Sequence, residues 1–375
     1  MRKSTKIFFI LFIIISSLLI FSNISKAAST ETATDESSLR TAIENVDDGG
    51  TVEIQNNITV TGPIVIQKKL TIDGNGYTIS GSTEWTSTSG NQTMFTAQFA
   101  AGHLTLKDIN LNNGPKYGVQ SYDGATVILN NVSITGFKYG GVLANGGNVE
   151  IIDLHLGTNG TGANNGIEID KGPSATNNPS LTMNGILTSD STENVVRPAE
   201  NGYLTDFTIT NTENTTNKIV IAGDKVVLTD ENNNVISEST IPEKANPNTD
   251  DKKVIVTLIV GEETKRIVID EGTSVTEEEL KSHIKLDEGY KIEGYFTDKD
   301  FKNKFDFSTK LDKDITIYAK ISKIEENKPQ EEPKPEEKPE TDDVPKTGVE
   351  NYLGIAIMAM IASTAGLVYI KRKEK

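Results

Sequence analysis

Two carboxylate side chains near the middle of the chain have the spacing of a catalytic pair. Glu168 and Asp170 flank Ile169, so on an extended strand they point to one face and lie about 7 Å apart. Two carboxyl groups at such a separation can share the acid and base steps of glycoside hydrolysis. Arg197 is the only arginine between residues 41 and 265. Alternating carboxylates more often mark a solvated strand face, which is the interpretation that we favour.

Acidic and amide residues recur at one point of three successive segments. Asp108 and Asn131 are 23 positions apart, and Asn131 and Asp153 are 22 apart. Stacked oxygens of this kind could bind a metal ion, but a hydrogen-bonded corner ladder explains the pattern better. His103 and His155 have no partner in sequence that would suggest a metal or a catalytic role. We therefore expect no metal, no cofactor and no catalytic residue.

A lysine–tyrosine–glycine motif occurs twice. Lys116 and Tyr117 are followed 22 positions later by Lys138 and Tyr139. The spacing predicts that the two tyrosines stack on adjacent turns of the chain, with the two lysines stacked beside them. Packing of the corner is the favoured interpretation. The alternative is a binding platform on which aromatic rings contact sugars and the lysines favour an acidic glycan.

A repeated apolar pattern must position these side chains. Each copy has apolar residues two apart, an Asp or Asn, and two further apolar residues two apart. Clear copies occupy 104–111, 127–134 and 149–156, and looser copies occupy 70–79, 181–186 and 204–209. A repeat of this length, with alternation and Gly/Asn corners, predicts a solenoid of stacked parallel strands. An antiparallel sandwich is the alternative.

Bulk composition narrows the class of partner. The chain has 375 residues and a formal net charge of −16, which argues against nucleic acid as a partner. It has no cysteine, so disulfides, a zinc–thiolate site and a cysteine nucleophile are excluded.

The start of the chain predicts secretion and then a β-helix. Basic residues precede an apolar run at 7–21, and small residues flank Lys26, as in a signal peptide that spans 1–27. An amphipathic helix at 35–46 precedes the first short strands. The runs 39–54 and 70–76 resemble the opening of right-handed parallel β-helix proteins of the pectate-lyase-like superfamily. That superfamily contains lyases, hydrolases, adhesins and structural modules, so the resemblance implies the fold and leaves the function open.

Beyond the predicted β-helix (28–243) and a linker (244–252), the pattern changes. Residues 253–322 read as strand–strand–helix–strand–strand, which predicts a small β-grasp-like domain. The runs 289–298, 305–307 and 314–320 resemble the Listeria–Bacteroides repeat of internalin-type surface proteins. Tyr295 and Ile321 stand where that family more often has tryptophan. The resemblance implies a spacer or an interaction domain.

The last segments predict attachment to a cell wall. Residues 323–343 are rich in Pro, Glu and Lys and should form an extended wall-spanning linker. Residues 344–375 contain Val344, Pro345, Lys346, Thr347 and Gly348, an apolar run and a basic tail. This arrangement resembles the sorting signal of Gram-positive bacteria. The resemblance implies that a sortase cleaves after Thr347 and joins it covalently to peptidoglycan. Val344 replaces the usual leucine, which leaves the sortase class open.

These features together predict a mainly β protein, a right-handed parallel β-helix followed by a small β-grasp-like domain, that is secreted and anchored to the cell wall. We expect a non-catalytic adhesin that binds a glycan or matrix ligand. The alternative is a wall-anchored polysaccharide lyase or glycoside hydrolase. It is disfavoured because the acid and base groups that it needs do not occur at recognisable spacing.

Overall fold

The computed structural model describes residues 28–160, 166–249 and 252–324. The expected signal peptide (1–27), the sorting signal (344–375) and all but the first two residues of the expected wall-spanning linker (323–343) lie outside the described residues. Within the described ranges, no helix is long and apolar enough to cross a membrane.

Short strands dominate the first part of the chain. Its elements are β1 (Thr30–Ala33), α1 (Glu36–Asn45), β2 (Gly50–Ile54), β3 (Ile58–Val60), β4 (Ile64–Ile66), β5 (Lys69–Asp73), β6 (Thr78–Gly81), β7 (Phe95–Gln98), β8 (His103–Gly114), β9 (Tyr117–Tyr122), β10 (Thr126–Phe137), β11 (Gly140–Asn145), β12 (Asn148–Leu156), β13 (Ile167–Asp170), β14 (Ser180–Ser189), β15 (Val196–Pro198) and β16 (Asp206–Asn211).

Eight further strands and one short helix follow in the described residues. They are β17 (Ile219–Ala222), β18 (Lys225–Thr229), β19 (Val235–Thr240), β20 (Asn246–Asn248), β21 (Lys252–Val260), β22 (Glu263–Asp270), α2 (Glu277–Ser282), β23 (Tyr290–Phe296) and β24 (Ile315–Lys323). The elements from β21 onward form the second part.

The first part is a parallel β-helix, as the repeat predicts. An 11-stranded sheet runs in the order β1-β2-β5-β8-β10-β12-β14-β16-β20, with β3 and β6 beside it, and a six-stranded sheet runs β15-β13-β11-β9-β7-β4. In the larger sheet Val127 is aligned with Leu104 on one side and with Val149 on the other. Adjacent strands therefore come from successive copies of the repeat, and the antiparallel alternative is wrong.

The core is a set of apolar ladders inside the coils. Leu104, Val127 and Leu129 have no exposed surface, and neither does Ile151. Burying one such side chain contributes about 1.5–3 kcal/mol, so stacked coils gain the stability that a single coil lacks. Helix α1 covers the first coil with Leu39, Ala42 and Ile43, which join the same core. Its N-terminus is closed by a capping box between Asp35 and Ser38.

The corner residues form a ladder over two coils. Asp108 and Asn131 have positive φ angles of 48° and 55°, and Asn131 Nδ2 donates to Asp108 Oδ1 at 2.6 Å. A left-handed conformation suits Asn and Asp better than other residues with a side chain. Asp153 lies where β12 shifts its register against β14. The ladder interpretation is therefore correct for Asp108 and Asn131, and the third member is absent.

Strands β17–β19 cover the last coils and also join the second part. Ile221 and Leu228 belong to the core of the β-helix, whereas Val220 and Val227 pack with Ile255 on the other side. Strand β17 pairs with the start of β21. The segment expected as a linker (244–252) contains β20, which pairs with β16. The chain therefore passes from the β-helix to the second part through paired strands.

The second part has the expected strand–strand–helix–strand–strand order. Strand β21 pairs antiparallel with β22 and parallel with β24, and β24 pairs antiparallel with β23. This pairing gives the β-grasp-like arrangement. Helix α2 packs over the sheet with Leu280, which is fully buried with Val256 and Ile317. Thr276 and Glu279 form a capping box at the start of this helix.

Candidate functional site

The outer face of the six-stranded sheet carries the residues that the sequence analysis singled out. Because strand side chains alternate, one set points into the core and the other points outward. Phe95, Val119, Val142 and Ile167 point inward and are at most 1% exposed. The neighbouring positions form an outward row that contains Thr96, Gln120, Leu143, Glu168 and Arg197.

A cleft of about 390 Å³ lies on this outer face. It is lined by Gly90, Asn91, Thr93, Lys116, Tyr117, Gln120, Tyr139, Leu143, Asn145 and Asp170. Aromatic rings, amides, a hydroxyl, one ammonium group and one carboxylate therefore meet in one concavity, which suits a polar ligand.

The two tyrosines are close but are offset by one residue. Tyr117 is aligned with Gly140, so Tyr139 lies beside Lys116 and not beside Tyr117. The rings of Tyr117 and Tyr139 meet edge to face at 6.1 Å with an angle of 79°. The predicted aromatic contact exists, in an arrangement that aromatic pairs favour.

The predicted stack of the two lysines does not form, because strands β9 and β11 are offset by 23 residues and not by 22. The Lys116 ammonium lies 5.9 Å from the centre of the Tyr139 ring and donates to the Gly90 carbonyl at 2.7 Å. Lys138 is exposed. The two charges therefore do not form a joint anion site.

Tyr117 is held by a residue two strands away. It is only 8% exposed, and its hydroxyl donates to Glu168 Oε2 at 2.7 Å. Arg197 Nη2 donates to the same oxygen at 3.2 Å. Burial raises the pKa of the Tyr117 hydroxyl, and the neighbouring Glu168 carboxylate raises it further. The tyrosine therefore stays a neutral donor and forms a fixed part of the cleft lining.

The two carboxylates that the sequence suggested as a pair, Glu168 and Asp170, have different surroundings. Glu168 forms an ion pair with Arg197, and both side chains are mostly buried. Asp170 lines the cleft and accepts a hydrogen bond from Asn201 Nδ2. Burial raises the pKa of the Asp170 carboxyl, the bond from Asn201 opposes this, and the Glu168 charge adds to the rise. The structure thus brings together Tyr117, Glu168, Asp170 and Arg197, of which the sequence had linked only the two carboxylates.

The remaining candidates lie elsewhere. His155 contacts Thr188 through Nδ1 at 3.0 Å and lies 3.6 Å from Asp190. His103 is half-buried in the larger sheet, and burial lowers its pKa. In the ranges that the structure describes, no group of three or more His, Cys, Asp or Glu side chains could hold a metal ion.

A larger cleft of about 930 Å³ was not anticipated from the sequence. It lies between residues 192–194, the β18–β19 hairpin, strand β22 and the end of α2. Glu238 accepts a hydrogen bond from Arg266 Nη2 at 2.6 Å, and His283 contacts Asn234 at 2.8 Å within it. These contacts join segments that are far apart in sequence, so no local pattern could have revealed them.

The fold and the cleft define the class: a parallel β-helix with a polar, aromatic-lined surface on one sheet. Residues 30–148 match the model of a protein family described as "Putative pectate lyase-like adhesive domain". The expected β-helix resemblance is thereby confirmed at the level of the fold, and the description favours an adhesive, non-catalytic role. The matched region includes Tyr117 and Tyr139 and ends before Glu168. No curated protein matches the chain. The resemblances to the Listeria–Bacteroides repeat and to a sorting signal stay predictions.

Proposed function

We propose that this protein is a surface adhesin whose β-helix binds a glycan in the cleft on the outer face of the six-stranded sheet. The observation that carries the proposal is the pairing of Tyr117 and Tyr139 at the edge of a cleft lined by amides and a carboxylate. Aromatic faces pack against sugar rings, and amide and carboxylate groups hydrogen-bond to sugar hydroxyls. The match to an adhesive domain supports the same class of function.

The ring that reaches the ligand is that of Tyr139. Tyr117 is buried and bound to Glu168, whereas Tyr139 is partly exposed and lies under the Lys116 ammonium. A binding panel of plant, microbial and animal glycans, applied to purified residues 28–324, tests the proposal. These residues belong to one compact unit. Saturable binding to at least one glycan supports it, and the absence of binding across the panel contradicts it.

A second candidate function is glycan cleavage, and the half-buried Asp170 favours it, because its raised pKa suits a proton donor. It ranks second because Glu168, the natural partner base, already accepts hydrogen bonds from Tyr117 and Arg197. Assays for reducing ends and for unsaturated uronates over the same panel distinguish the two functions. Turnover that Asp170→Asn abolishes would establish cleavage.

The proposed place of action is the surface of a Gram-positive cell, with Thr347 joined to peptidoglycan by a sortase. The support is the order of the sorting pentapeptide, apolar run and basic tail in the sequence. Walls boiled in detergent should keep the protein and should release it on digestion with a muralytic enzyme. Release by detergent alone contradicts covalent attachment. Thr347→Ala should shift the protein to the membrane and the medium.

A further inference from the structure

The two cationic groups nearest the cleft, those of Lys116 and Arg197, each contact a group of the protein. Lys116 donates to the Gly90 carbonyl and lies against the Tyr139 ring. Arg197 is paired with Glu168 at 3.2 Å. Part of the positive charge at the cleft is thereby balanced by groups of the protein itself, which weakens the attraction that it can offer to a carboxylate or sulfate.

The groups in the cleft that can still hydrogen-bond to a ligand include both donors and an acceptor. Among the described residues, Gln120 Nε2 and Asn145 Nδ2 donate to no protein acceptor; Gln120 and Asn145 only accept, from Thr93 and Gly172. Asp170 accepts from Asn201 and keeps further acceptor positions, since a carboxylate has about four. The open set therefore contains both donors and an acceptor, which matches hydroxyl groups, because a hydroxyl both donates and accepts.

Asn145 and Asp170 are direct neighbours across the sheet. They are register partners in strands β11 and β13, so their backbones lie about 4.8 Å apart and their side chains point to the same face. One offers an amide donor and the other a carboxylate acceptor. Such a pair can bind two adjacent hydroxyl groups of one sugar ring.

We propose that the cleft selects a neutral glycan, and that Asn145 and Asp170 recognise two neighbouring hydroxyls of a sugar that packs against Tyr139. This proposal rests on the proposed function and replaces the acidic glycan that the two lysines suggested. An acidic sugar at this position would place its charge beside Asp170 and close to Glu168, and like charges in a half-buried site oppose binding. A neutral sugar requires no cationic partner, and its hydroxyl groups can hydrogen-bond to the open donors and acceptors.

The test compares binding of residues 28–324 to neutral glycans (mannan, dextran, galactan, cello-oligosaccharides) and to acidic ones (polygalacturonate, alginate, hyaluronate) at low and high salt. We expect binding to a neutral glycan that salt leaves unchanged, since no ion pair forms. Asn145→Leu removes the amide and should weaken this binding by about tenfold, the usual effect of one lost hydrogen bond. Asn130→Leu, on the outer face of the larger sheet, is the matched control and should bind normally.

Asp170→Asn is nearly isosteric and keeps the test valid if Asn145→Leu does not fold. It should weaken neutral binding because a charged acceptor becomes a neutral one. Binding restricted to acidic glycans, weakened by salt, would overturn the neutral ligand while leaving glycan adhesion intact. Normal neutral binding in folded Asn145→Leu and Asp170→Asn would overturn the role of the pair. Failure of both glycan classes would contradict the proposed function itself.

Discussion

The hydroxyl of Tyr117 lies 2.7 Å from Oε2 of Glu168, which is 51 residues later in the chain. Strand β11 lies between the strands that carry them, so this hydrogen bond crosses a whole coil of the β-helix. It fixes the ring that contacts Tyr139 and orients the carboxylate that pairs with Arg197. The two residues therefore have a structural role at the cleft.

Replacement of Tyr117 should lower the stability of the protein by an amount that depends on how much of the side chain is removed. Tyr117→Phe keeps the ring and loses one hydrogen bond, so we expect a loss of about 1–2 kcal/mol. Tyr117→Ala also removes a buried ring and should cost about 3–5 kcal/mol. An alanine variant at Tyr117 therefore cannot report on binding alone, contrary to the expectation of a surface platform. Denaturant titrations measure both values, and equal stability of Phe and Ala variants would contradict the buried packing.

The inward ladders predict where charge is not tolerated. Leu129→Asp or Ile151→Asp would bury an unpaired carboxylate at a position with no exposed surface. Several kcal/mol of stability should be lost. Ile128→Asp is the control, because Ile128 points outward from the same strand and should be better tolerated. Thermal unfolding of the three variants checks this, and a stable Leu129→Asp would refute the assignment of the inward face.

The corner ladder predicts a conformational preference at Asn131. Its φ of 55° costs a residue with a branched side chain about 1–2 kcal/mol, so Asn131→Val should lose that amount and the hydrogen bond to Asp108 as well. Asn131→Gly keeps the conformation and should lose the hydrogen bond alone. Chemical denaturation should therefore rank wild type above Gly and Gly above Val. A valine variant as stable as the glycine variant would show that the corner can relax.

The half-buried Asp170 predicts a pH-dependent difference in stability. Its pKa is raised in the folded protein, so its charged form costs stability at pH values above the folded pKa. As the pH falls through that pKa, the folded protein takes up the proton and the cost is relieved. Asp170→Asn should therefore be more stable than wild type near pH 7, and the difference should shrink on acidification. A difference that grows on acidification would contradict the direction of the shift.

The cover made by β17–β19 predicts coupled unfolding of the two parts. Val227 has no exposed surface and packs with Ile255 and Val268 of the second part, while Leu228 faces the β-helix core. Val227→Asp should break the contact with the second part and separate one calorimetric transition into two. Ile236→Asp, at a position that is 36% exposed, should keep a single transition. Two transitions in the wild type would show that the parts unfold independently.

The sequence predicts the larger sheet far better than the smaller one. Segments such as 104–111 alternate on either side of the corner at Asp108, because their outward side chains are more exposed than their inward ones. Strands β9 and β11 are buried along almost their whole length, so the alternation that would reveal them is missing. Their 23-residue offset also depends on the corners between strands. The spacing of the lysine–tyrosine motifs therefore predicts the contact of the two rings and misplaces the lysines.

The assembly around Glu168 could not be predicted for a different reason. Arg197 reaches Glu168 because strand β15 is aligned with β13, although the intervening residues 171–195 include an insert that interrupts the repeat. The register of a strand after a long insert depends on tertiary packing and not on local pattern. The carboxylate pair was visible as a spacing, whereas its arginine and tyrosine partners required the folded chain.

The adhesive role of the outer face is tested most directly by calorimetric titration of the tightest-binding glycan from the panel into wild type, Tyr139→Ala and Tyr77→Ala. Tyr77 is an exposed tyrosine outside the cleft and serves as the matched control. We expect Tyr139→Ala to weaken binding by about tenfold, since an aromatic contact contributes about 0.5–1.5 kcal/mol in addition to its buried area. Its melting temperature should be nearly unchanged. Tyr77→Ala should bind the glycan with the affinity of the wild type. Equal affinity of wild type and folded Tyr139→Ala would contradict a binding site in this cleft.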